Sequence, residues 1–79
     1  MNNSYDIMRK NMRKYRKKLN YTQQQVADGI RYSLDYYQEV ESIKRQKRFS
    51  ITFADLVADF YGIKTRDLLE EDNELNLDV

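Results

Sequence analysis

Apolar residues return along this chain at helical rather than strand spacing. Met8, Met12, Tyr15 and Leu19 follow one another at intervals of four, three and four, one face of a helix over about 5–19. Thr22, with Gln25 three residues on, makes a capping-box pattern and predicts a second helix over 23–30 with Val26, Ala27 and Ile30 inward. Ser33 suits the N-cap of a third helix, and Asp35 stands in its first turn, where the helix dipole favours a carboxylate. Tyr37 and Val40, helped by Leu34, supply its apolar stripe. Residues 44–49 read as a loop. Ser50 or Thr52 can cap a fourth helix on which Ala54, Val57, Ala58 and Tyr61 recur, and Gly62 suits the left-handed position that ends it. Thr65 is expected to cap a last short helix through Leu68 and Leu69, with Asp67 in its first turn. The predicted fold class is all-α, a compact bundle of five short helices.

Composition narrows this reading. The 79 residues make one small domain, expected over 1–71, with residues 1–4 frayed and 72–79 an acidic, mobile tail. Neither cysteine nor histidine occurs, which removes disulfides, thiolate chemistry and the common zinc sites. No metal and no cofactor are expected. No apolar run approaches the roughly 20 residues of a membrane span, and the N-terminus is not signal-like. A cytoplasmic protein with no membrane partner is expected. The absence of proline, with only Gly29 and Gly62 as glycines, favours helices. An enzyme is not expected, because Ser4, Ser33, Ser42 and Ser50 have no histidine to activate them and no phosphate-binding glycine loop is present.

A formal net charge of +1 hides a strong segregation. Arg9, Lys10, Arg13, Lys14, Arg16, Lys17 and Lys18 crowd the first helix, and Lys44, Arg45, Lys47 and Arg48 form a second cluster. Glu70, Glu71, Asp72, Glu74 and Asp78 make the end of the chain acidic. Two capped helix starts about ten residues apart, followed directly by basic residues, meet the requirements of a helix-turn-helix reader of double-stranded DNA over about 22–43.

The segment from Tyr15 to Leu69 resembles the lambda-repressor-like (Cro-type, XRE family) helix-turn-helix domain. The resemblance lies in Tyr15-Arg16, Tyr21-Thr22-Gln23, Val26-Ala27, Ser33, Tyr37, Val40-Glu41 and Tyr61-Gly62-Ile63. It implies a five-helix fold whose second and third helices form the DNA-reading pair. By the same resemblance, Arg16 and Glu41 pair between helices one and three, which fixes orientation more than it adds stability. Phosphate contacts are expected from Gln23 and Ser33 at the helix starts and from Lys44, Arg45, Lys47 and Arg48 in the following loop. Base reading is expected from Leu34, Asp35, Tyr36, Gln38 and Glu39. A carboxylate there can accept from cytosine N4, and Leu34 or the Tyr36 ring can touch a thymine methyl.

Three positions depart from the family pattern. Arg31 stands where the turn usually has glycine, so the turn is expected to be shifted or strained. Ile43 replaces a glycine after Glu41, which predicts a longer third helix, over 33–43. Phe49 stands near a usual loop proline. Phe53, Leu56 and Phe60 form a second apolar stripe on the fourth helix. With Leu68 and Leu69 they are the expected homodimer surface, or one for a regulatory protein partner. The sequence therefore reads as a sequence-specific transcriptional regulator, a repressor binding a palindromic operator as a dimer. The alternative is a protein-binding helical module of the same fold that has lost or weakened DNA binding, a reading the acidic third helix supports.

Overall fold

The structure, a computed structural model, describes residues 3–71, and the tail expected over 72–79 lies outside the described residues. Four α-helices are present: α1 Ser4–Lys18, α2 Gln23–Ile30, α3 Leu34–Glu41 and α4 Ile51–Tyr61. The fifth element is not an α-helix but a short 3-10 helix, Thr65–Leu69. No strand occurs among the described residues.

Local chemistry explains where the helices begin. Thr22 accepts from the Gln25 N–H at 3.0 Å while the Gln25 side chain accepts from the Thr22 N–H at 2.9 Å. Ser33 accepts from the Tyr36 N–H at 3.1 Å, and Ser50, not Thr52, caps α4 by accepting from the Phe53 N–H at 3.0 Å. Asn3 does the same for α1 through the Asp6 N–H. The 3-10 helix departs from expectation. Its entry is held by Asp67, which accepts from the Lys64 N–H at 2.9 Å, while Thr65 turns its hydroxyl to Asp55.

Three helices end alike. Asn20 (φ 63°), Arg31 (φ 64°) and Gly62 (φ 76°) are left-handed, and the next N–H in each case returns to a carbonyl five residues back. The turn between α2 and α3 is therefore not shifted. Arg31 adopts the strained conformation itself, at a cost of roughly 1 kcal/mol.

The third helix corrects the sequence reading. It stops at Glu41, and Ser42 is extended (ψ 119°), so Ile43 lies beyond the helix rather than within it. The reason is a side chain from α1. Arg9 is 1% exposed and donates to the carbonyls of Val40 at 2.8 Å and Lys47 at 2.7 Å. An arginine grouped with the first-helix cations thus takes a carbonyl that a further helical turn would use and ties the end of α3 to Lys47 in the basic loop.

The core joins Met8, Met12 and Tyr15 of α1 to Val26, Ala27 and Ile30 of α2, Tyr37 and Val40 of α3, and one broad face of α4. Phe53 belongs to it, and this corrects its placement on a dimer surface. It is fully buried, with ring centroids of Tyr32, Tyr36 and Phe49 at 4.9, 5.3 and 5.7 Å. Leu68 is likewise fully buried, held where Asn11 donates to the Leu68 and Glu70 carbonyls at 2.7 and 2.8 Å. Phe60 is partly buried with its ring on Tyr21, centroids 4.9 Å apart, and over Gly29. Three of the five supposed interface residues are thus engaged within the chain. Leu56 and Leu69 remain exposed.

Candidate nucleic-acid interface

One buried carboxylate organises the helix-turn-helix. Glu41, at the end of α3, is 5% exposed and sits in a ring of donors. Arg16 binds it through two nitrogens, Nε to Oε2 at 2.8 Å and Nη2 to Oε1 at 3.2 Å. Tyr37 donates its hydroxyl to Oε2, and Gln23 donates Nε2 to Oε1 at 3.0 Å. Gln23 in turn accepts from Gln38 Nε2 at 3.1 Å. The starts of α2, the middle of α3 and the end of α1 are thereby fixed to one another, because each donor binds the same two oxygens in a weakly polar setting.

The electrostatics follow from this packing. Arg16 has a raised pKa, chiefly through its hydrogen bond to Glu41, so it stays charged. Burial is the largest cause that pushes the Tyr37 and Tyr61 hydroxyls far above the ordinary tyrosine value. The Tyr61 hydroxyl donates to the Met12 carbonyl at 3.0 Å and lies 3.1 Å from that of Tyr37.

The outer face of α3 is acidic and partly neutralised. Asp35 and Gln38 are exposed, whereas Leu34 and Glu39 are partly so. Glu39 pairs with Lys47 at 3.2 Å and lies 3.7 Å from Arg45. Tyr36 does not project outward. Its ring packs on Tyr32 and Phe53, and Lys47 Nζ lies 5.0 Å from its centroid, so thymine contact would require it to leave that packing. Arg48 lies over the Tyr5 ring, and Ser33 is an exposed cap. Lys44 makes no ion pair or ring contact with a described residue.

Beside this face lies a groove of about 390 Å³ lined by Arg13, Arg16, Lys17, Gln23, Gln38, Glu41 and Ser42. Its lining brings Gln23, at the start of α2, together with two exposed α1 cations, Arg13 and Lys17, which the sequence pattern alone does not place beside α3. Their signal was available: Arg13 is three residues before Arg16 and Lys17 four after Arg13, a spacing that keeps both near the Arg16–Glu41 pair. The described residues contain no group of three or more acidic side chains able to hold a metal ion, and no helix long and apolar enough to cross a membrane.

A short helix packed on α1 and α4, a second helix crossing its start, a partly exposed polar face and a basic loop define a helix-turn-helix domain. Comparison with protein families agrees: a helix-turn-helix model matches residues 12–68. The chain belongs to this lambda-repressor-like (XRE) family of DNA-binding regulatory domains. Neither the curated proteins nor the solved structures give a match.

Proposed function

We propose that this protein is a sequence-specific transcriptional regulator, a cytoplasmic repressor that binds a palindromic operator as a homodimer. The observation that carries the reading is the Glu41 ring, which fixes α2 against α3 and leaves Asp35, Gln38 and Glu39 on an accessible face. In this account α3 enters the major groove. Leu34, Asp35, Gln38 and Glu39 meet base edges, carboxylates accepting from cytosine N4, and Tyr36 joins them only by leaving its packing on Tyr32 and Phe53. Ser33, the start of α2 at Gln23, and Lys44, Arg45, Lys47 and Arg48 meet phosphates, with Arg13 and Lys17 beside them. Phosphate contact by Lys47 and Arg45 requires them to leave Glu39. Binding then exchanges an internal ion pair for a contact with the duplex.

Leu56 of α4 and Leu69 of the 3-10 helix, exposed on two elements that pack together, are the surface proposed for pairing two copies. One small domain reads few base pairs, so useful specificity calls for two half-sites about one helical turn apart. Selection from a random duplex library tests the whole reading by recovering such paired half-sites.

One observation favours a second reading, a protein-binding module of the same fold. Asp35 makes no ion pair with a described residue, so the reading helix presents an uncompensated carboxylate to a polyanion. Duplex binding with a steep salt dependence supports the first reading, and its absence in a folded protein supports the second.

A further inference from the structure

The outer ridge of α1 carries four exposed cations, Lys10, Arg13, Lys14 and Lys17, none of which forms an ion pair with a described residue. With Ile43 and Glu41 they line a groove of about 300 Å³ between α1 and the end of α3. Glu41 is already bound by Arg16, which leaves the groove strongly positive. Ile43 is 42% exposed within this ring of charge, and long lysine and arginine stems add further apolar wall. A phosphate backbone would satisfy the cations but leave Ile43 in water. An acidic peptide with apolar residues between its carboxylates satisfies both.

We propose that residues 72–79 of this same chain occupy that groove. Their sequence, Asp72-Asn73-Glu74-Leu75-Asn76-Leu77-Asp78-Val79, places Leu75, Leu77 and Val79 between or beside carboxylates. The point of departure suits the site. Asn11 holds the Leu68 and Glu70 carbonyls against α1, so the segment begins beside the helix that carries Lys10 and Lys14. Eight extended residues reach about 26 Å, whereas Lys10 to Lys17 spans about 10 Å of helix. Tethering at such a distance corresponds to an effective concentration on the order of millimolar, enough to populate a weak charge-matched contact. Arg13 and Lys17 also line the groove beside the reading helix, so the bound segment covers cations that a duplex would use.

The test uses the full chain and contains no DNA, so its result does not depend on duplex binding. The protein has no cysteine, and Asn76→Cys therefore takes a single spin label. At low salt the label should broaden the backbone amide signals of Lys10, Lys14, Lys17 and Ile43 and spare those of Asp28 and Asp59. The effect should vanish in 0.5 M salt, where charges are screened within roughly 4–5 Å. It should also vanish in the Lys10→Glu, Lys14→Glu variant, whose changes lie on the surface. Uniform broadening, or none on α1, overturns the proposal. Broadening that disappears on dilution overturns it as well, because the segment would then be seated on a second copy.

Discussion

Arg9 Nη1 donates to the carbonyl of Val40 at 2.8 Å across 31 residues of sequence, and this contact ends α3. Its other nitrogens hold the Lys47 carbonyl and Asp6. Removing the guanidinium leaves two carbonyls short of a donor in or near the core. Arg9→Ala should therefore destabilise the fold by roughly 3 kcal/mol in urea denaturation, far more than the Lys10→Ala change beside it. Arg9→Lys should recover only part of the loss, because an ammonium cannot reproduce the planar fork. Equal effects of Arg9→Ala and Lys10→Ala would show that the burial carries no weight.

Gly29 supplies the second prediction. A Cβ built there would lie 2.2 Å from Phe60 Cε1, so alanine must displace the ring. Helix propensity alone would make Gly29→Ala stabilising by about 1 kcal/mol. The clash should reverse that sign and cost about 1–3 kcal/mol, since the ring also packs against Tyr21 and Tyr61. Combining it with Phe60→Leu should restore much of the loss, a coupling that a double-mutant cycle measures. Additive effects would contradict the contact.

Alkaline stability tests the buried hydroxyls. The Tyr37 and Tyr61 hydroxyls are raised in the folded state, chiefly by burial, whereas an unfolded tyrosine ionises near 10. The folded state thus holds protons that the unfolded state releases. Their stabilising effect is complete below about pH 10 and is lost as pH rises above it, at up to about 1.4 kcal/mol per pH unit for each residue. Tyr61→Phe should flatten the decline in unfolding free energy between pH 10 and 12. An unchanged slope would place the titration elsewhere.

Much of the fold was legible because its signals are local. Thr22 with Gln25, Ser33, Ser50 and Gly62 each act on backbone groups within four residues, and each stands where its pattern predicted. What escaped depends on distant partners. Helix periodicity counts Phe53 as a spare stripe, but Tyr32, Tyr36, Tyr37 and Phe49 converge on it from three other segments. The burial of Arg9 and the early end of α3 are one fact of that kind, as are the folding of Tyr36 inward and the engagement of Lys47 with Glu39. In the candidate site, residue types and the Arg16–Glu41 approach were legible, whereas which cations stand free was not.

The division between positioning and reading gives the fourth prediction. Lys44→Ala should weaken binding to all duplexes about equally and lower the salt slope by about 1 per subunit. Asp35→Ala should leave overall affinity nearer its original value but relax the preference at one base position, worth roughly 1–3 kcal/mol. Glu39→Gln releases Lys47 and Arg45 and should tighten binding overall while changing the preference at the base that Glu39 meets. Competition titrations against a selected and a scrambled duplex separate the three. If Asp35→Ala left the preferred sequence untouched, the placement of the reading surface on α3 would be wrong.

The most direct measurement is duplex binding across salt concentration, made on a random library with the protein shown to be folded. A dimer making ~6 phosphate contacts should lose roughly 10³-fold in affinity between 50 and 200 mM salt, and the retained sequences should carry two related half-sites about one helical turn apart. No binding to any duplex at 50 mM salt would contradict the account and leave the domain a protein-binding module.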